Sequence, residues 1–152
     1  MKKMTTTMMA FSIGLLLVAS GCDKKETSPA GAIAGTYVGN LTMGEDVVGQ
    51  NVAITVTEKN ETTVTLGLNT TLPGLPAVGD LPLNVTCDAT VTKNGNDYNV
   101  AGTTTIGIPV TAPVSSTMSL PVTIGGPITA AGAATLEIKV PIATVVFSGT
   151  KQ

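Results

Sequence analysis

The sequence contains no histidine, no tryptophan and no arginine, and only two tyrosines and two phenylalanines in 152 residues. Each absence removes a class of function. Without histidine there is no imidazole base for a Ser or Cys nucleophile, and the commonest transition-metal ligand is missing. Eight lysines stand against ten acidic residues. That weakly acidic, arginine-free balance argues against nucleic acid and against recognition of anionic lipid headgroups. Paired carboxylates could do glycosidase chemistry, but the aromatic platforms that usually hold a sugar are almost missing. Cysteine is nearly absent too: Cys22 and Cys87 are the two present.

What is there begins with a leader. Lys2 and Lys3 form a positive n-region, and Met8 to Val18 is an apolar run of about eleven residues, a signal-peptide length well short of the ~20 that cross a bilayer. Small residues Ala19, Ser20 and Gly21 lead into Cys22. This junction resembles the bacterial lipobox, with Ala19 in the place usually held by Leu. The resemblance implies cleavage after residue 21 and lipid on the Cys22 sulfur. At about 0.8 kcal/mol per buried CH₂, several acyl chains make the anchor effectively permanent. Residues 22–32, charged and then Ser-Pro-Ala-Gly-rich, read as a flexible tether. Asp23 resembles an inner-membrane retention signal, and Lys24-Lys25-Glu26 resembles the charged export signal of Bacteroides-type surface lipoproteins. Both leaflet assignments stay open. Cleavage leaves Cys87 as the only other thiol, so no intramolecular disulfide is expected in the domain.

Residues 33–152 alternate with period two. Val52, Ile54 and Val56 share one face, and Val64, Leu66 and Leu68 resume it after the polar turn Glu58–Glu61. Leu83, Val85, Cys87, Ala89 and Val91 form the clearest apolar face. Lys93-Asn94-Gly95-Asn96-Asp97 is a hairpin signal, followed by Tyr98, Val100 and Gly102 and a strand to about Ile106. Met118 to Ile124, Leu136 to Val140 and Val145 to Gly149 add further strands. Gly125-Gly126-Pro127 is expected to break one of them. Leu72 to Leu83 and Gly107 to Val114, rich in Pro and Gly, read as loops or bulged edges. With Ile33 to Thr42, the pattern predicts an all-β domain of about eight antiparallel strands. Up-and-down connectivity follows from the short turns, and a closed barrel best removes the edges. A β-sandwich is the alternative.

Ile33 to Met43, IAGTYVGNLTM, resembles the start of the calycin-like, lipocalin-like β-barrel domain of Bacteroides-type lipoproteins. VAITVTEKNETTVTLGL and VTKNGNDYNVAGTTTIGIP are similar to its second and central hairpins, and VVFSGTK to its ending. In the lipocalin pattern a Gly-x-Trp on the first strand is covered by an arginine near the last. Here Gly35-Thr36-Tyr37 stands at that place, and Lys151 is the one cation near the end. The resemblance implies a barrel.

Candidate sites are few. Cys87, on an apolar face with no histidine to serve it, reads as buried and inert. Glu45-Asp46, Asp88, Asn94, Asn96 and Asp97 read as solvated turns, since no calcium-loop spacing is present. No metal, cofactor or catalytic residue is expected. Tyr37, Val85, Tyr98 and Phe147 are the candidate lining of an apolar cavity, and the aromatics among them could equally plug the barrel ends. Small inward residues Ala89, Gly102 and Gly149 would leave the room, with Gly74 to Pro82 near its rim. The expected function is a non-enzymatic, lipid-anchored barrel in a bacterial envelope, facing periplasm or cell surface, that binds a small apolar ligand. The alternative is a structural or protein-interaction module with a solid core.

Overall fold

The computed structural model describes residues 27–75, 79–110 and 116–152. The expected leader, Cys22 and the first residues of the expected tether lie outside these. A short helix α1 (Pro29–Ile33) precedes eight strands: β1 (Gly35–Met43), β2 (Asp46–Asn60), β3 (Thr63–Leu75), β4 (Gly79–Asn94), β5 (Asp97–Val110), β6 (Ser116–Ile128), β7 (Ala133–Val140) and β8 (Ala143–Lys151). Each strand pairs antiparallel with the next, and β8 pairs with β1 from Tyr37–Lys151 to Thr42–Val146. The result is a closed up-and-down barrel in strand order, not a sandwich.

Alternation decides which side faces in. Along β4, Leu81, Leu83, Val85, Cys87, Ala89 and Val91 are buried, and every residue between them is exposed. Side chains from all eight strands and from α1 join one apolar cluster, and among the described residues no polar or charged side chain is buried. The outer wall is largely Thr, Asn and charge. A membrane-spanning barrel has the opposite polarity, with an apolar band outside and a polar lumen.

The barrel has two unlike ends. At one, the turns Glu61–Thr62 and Gly95–Asn96 and the Thr129–Gly132 connection lie around α1. Gly95 takes the left-handed conformation there (φ 65°), which glycine adopts without a Cβ penalty, while Asn94 remains in β4. At the other end, the hairpins separate. The β2–β3 ladder stops at Ile54–Leu68, β4–β5 at Ala89–Gly102 and β6–β7 at Thr123–Lys139. Beyond those points β3–β4 and β5–β6 continue as two-stranded ribbons, paired as far as Leu75–Gly79 and Val110–Ser116. β2 swings away from β3 through a bulge at Asn51, whose φ is 53°.

Prolines bear on two of these seams. In an antiparallel ladder, residues alternate between pairs that exchange hydrogen bonds and pairs that do not. A proline, lacking N–H, fits only the second kind, with its nitrogen turned away from the partner. Pro82 lies opposite Thr71, Pro109 opposite Thr117 and Pro121 opposite Thr105. Pro82 and Pro109 thus face the β4–β5 seam from its two sides, and Pro121 faces the β6–β7 seam. Neither seam can zip through those positions.

Several expectations are narrowed or corrected here. Of the two readings of Leu72–Leu83 and Gly107–Val114, loop or bulged edge, the described residues take the second: they are strand up to Leu75, from Gly79 and up to Val110, with one edge unpaired and a register shift between Leu72 and Leu75, because a proline at an edge position does not end a strand. β6 likewise runs through Gly125-Gly126-Pro127 to Ile128. The turn expected at Glu58–Glu61 is confined to Glu61–Thr62, since β2 extends to Asn60. Residues 29–32, read as tether, fold into α1.

Candidate functional site at the capped end

α1 is only five residues long, and its sequence still encodes both ends. Ser28 caps it by accepting from the Gly31 N–H at 3.0 Å, and a proline opens the first turn, where its missing N–H costs nothing. Ala30 and Ile33 point into the barrel and are almost completely buried. Burying a side chain of Ile size stabilises by about 1.5–3 kcal/mol, enough to hold a helix too short to stand alone. Polar contacts fasten the rest. The Ala30 N–H donates to the Glu61 carbonyl at 3.1 Å, and the Ser28 hydroxyl donates to the Glu58 carboxylate. Lys151 Nζ donates to the Ala32 carbonyl at 3.3 Å, and the Tyr37 hydroxyl to the Ile33 carbonyl at 2.8 Å.

Tyr37 therefore plugs this end and ties it to the helix. Burial pushes its phenol pKa upward, so the hydroxyl stays a donor across the physiological range. Lys151 sits opposite Tyr37 in the β1–β8 ladder, and its stem crosses Gly35, where a Cβ would lie 2.6 Å from Lys151 Cε. A cleft of about 360 Å³ lies beside the helix, lined by Tyr37, Tyr98, Lys151 and the turn Thr129–Gly132. Asp97 orders that turn by accepting from the Ala130 N–H at 3.0 Å.

The four residues expected to line a cavity separate into groups. Tyr37 and Tyr98 meet at the cleft. Phe147 is fully buried on β8, with Leu41 and Leu136 as its ladder neighbours. Val85 is buried on β4, and its backbone also borders a depression of about 350 Å³ on the outer wall, where Gly67 leaves a notch between Thr55 and Thr86. Directly in front of two of the small inward residues there is little room. A Cβ at Gly149 would lie 2.5 Å from Phe147 Cζ, and one at Gly102 would lie 2.8 Å from the Asp88 carbonyl oxygen and 2.9 Å from Ala89 Cβ. These glycines mark close approach rather than empty space.

Three further titratable groups are placed by their surroundings. Cys87 is a buried free thiol whose pKa is pushed up by burial and secondarily by the neighbouring Asp88 charge. Asp88, on the outer wall, bonds Lys59 on β2 and accepts from the Thr65 hydroxyl on β3 at 2.8 Å. Those bonds hold its carboxyl below the usual range. Asp80 accepts from the Gly74 N–H at 3.0 Å. Among the described residues no three His, Cys, Asp or Glu side chains gather as a metal site.

Sequence reasoning missed the helical plug and the cleft it creates. The Ser28-Pro29 pair was the available signal, a cap residue followed by a first-turn proline. Five residues are too few to show a helical period.

Fold and site together define a class: a small apolar-cored, closed antiparallel barrel plugged by an N-terminal helix. No family model and no curated protein matches the chain. Among solved structures it is similar to a Bacteroides fragilis protein named a "putative outer membrane protein", with 19% identity and a TM-score of 0.43. The match covers 84% of this chain and 54% of that one, so this chain spans about half of that protein's length.

Proposed function

We propose that this chain is a non-enzymatic, lipid-anchored module of a bacterial cell envelope, with a filled core, that works by binding another envelope protein. The observation that carries the reading is tight packing at the small inward residues: the Phe147 ring lies over Gly149, and the Asp88 carbonyl and the Ala89 methyl close on Gly102. A barrel whose inside is taken up by its own side chains has its outer surfaces left for recognition. Among the described residues, the large apolar side chains most exposed are Val47, Ile142 and Met118, on or beside the hairpin ends opposite α1. The anchor rests on the Ser20-Gly21-Cys22 junction, and the envelope location follows from it. The calycin-like resemblance of residues 33–152 is consistent with this reading. The second reading, a binder of a small apolar ligand, is separated by a single substitution. In a filled core, Val85→Trp overpacks and lowers stability by about 1–3 kcal/mol or more. Fatty acids should leave the melting temperature of the wild type unchanged. A melting temperature that rises with fatty acid, and a Val85→Trp variant that keeps its stability but loses that rise, would establish the binder instead.

A further inference from the structure

The chain's point of entry into the barrel is fixed. α1 is buried through Ala30 and Ile33 and bonded through Ser28, Ala30 and Ala32, so Thr27 departs from the capped end. Cys22 lies five residues before Thr27 in the sequence. Five fully extended residues reach at most ~18 Å. β4 by itself is 16 residues long, roughly 50 Å of strand at about 3.3 Å per residue. An anchor at Cys22 thus holds the capped end close to its membrane and cannot serve the far end.

We propose that the capped end is a membrane-facing surface: the barrel stands on a lipid bilayer on its plugged end, with the separated hairpins turned away. The proposal rests on the reading of Cys22 as the lipid anchor. Charge opposes the other postures. The far end carries Glu45, Asp46 and Asp80, and the nearest lysine, Lys139, is engaged by Glu137 at 3.1 Å. At the capped end Lys59 is likewise engaged, by Asp88, which leaves Lys93 and Lys151 against Glu58, Glu61 and Asp97. An anionic leaflet therefore repels the far end, with three carboxylates and no free lysine among the described residues, more than the capped one. Among the described residues the wall between is mostly Thr and Asn, with no apolar or basic band to lay it down on lipid.

The chain has no tryptophan, so a single introduced Trp is a unique reporter. The test uses full-length, lipidated protein in phosphatidylcholine–phosphatidylglycerol vesicles that contain a dansyl-headgroup lipid. Thr92→Trp places the donor on exposed β4 near the capped end, and Ile142→Trp and Val47→Trp place it at the far end. Energy transfer from Thr92→Trp should exceed that from either far-end variant at least twofold. Equal transfer from both ends would mean a barrel lying on its side, and reversed transfer a barrel standing on its hairpins; either overturns the proposal. Protein that fails to float with vesicles would sink the anchor reading alone. The same variants, coupled through the Cys22 thiol to a maleimide lipid, then decide the orientation separately, since buried Cys87 stays out of the coupling.

Discussion

At the capped end every strand of the barrel is laddered to both neighbours, and a helix fills the opening; at the far end three of the eight seams stop short. The two ends have the same inward chemistry. Leu72, Leu81 and Leu83 near the far end are as buried as Tyr37 and Ile33 near the cap. They differ in who satisfies the backbone. Near the cap, neighbouring strands and α1 do so. Along the ribbons one edge of each strand is left over, and proline removes some of its donors. Apolar burial alone thus does not close a barrel wall; each seam also needs donors placed to zip it.

The largest expected effect tests how tightly the fully laddered part of the barrel is packed. Phe147→Ala removes a fully buried ring whose contacts include the close approach at Gly149, and should lower unfolding free energy by about 3–5 kcal/mol in urea titrations. A loss below ~1 kcal/mol would mean that the barrel around Phe147 is loosely packed and that the contrast between ends is overstated.

A smaller effect probes the seam itself. Replacing Pro82 and Pro109 together with Val restores two N–H donors that face each other's strand across β4–β5. If the prolines hold the seam open, the double variant should gain amide-exchange protection along residues 80–88 and 103–109. It should also gain roughly 0.5–1.5 kcal/mol per bond formed. Unchanged exchange would place the cause in barrel curvature and not in proline.

The smallest effect lies on the outer wall. Asp88 bonds Lys59 and Thr65, and its folded-state pKa lies below the ordinary carboxylate value. A depressed folded pKa contributes stability that is present above the unfolded value near ~3.9 and is lost as pH falls through the folded one. Asp88→Asn should therefore flatten a shallow part of the acid limb below about pH 4 and leave the neutral-pH melting temperature nearly unmoved. An unaltered acid limb would show that the cross-strand trio of Lys59, Thr65 and Asp88 does not couple the wall.

Much of the architecture was legible because period-two alternation is a direct image of a one-sided core. Leu83 to Val91 alternate in sequence and in burial without exception. The ribbons were hidden for a physical reason. Proline and glycine in a strand report that one edge is unpaired, and a single sequence does not distinguish an unpaired edge from a loop. The Tyr37–Tyr98 cleft was out of reach because the turn Thr129–Gly132 and Lys151 complete it, and the ladders alone bring these together. The anchor junction at Cys22 lies outside the described residues and rests on sequence.

The pairing of β8 with β1 also imposes an order of events. Thr42 and Val146 are 104 residues apart and bond across that ladder. Closure by the first and last strands has a high loop entropy and a large contribution to contact order, which slows folding. If the chain is threaded through a membrane from its N-terminus, β1 emerges with its outer edge bare and keeps it bare until residues 143–151 arrive. A polypeptide delivered that way can close into a barrel only when its last strand has crossed, a window in which a strand-binding chaperone would find its target.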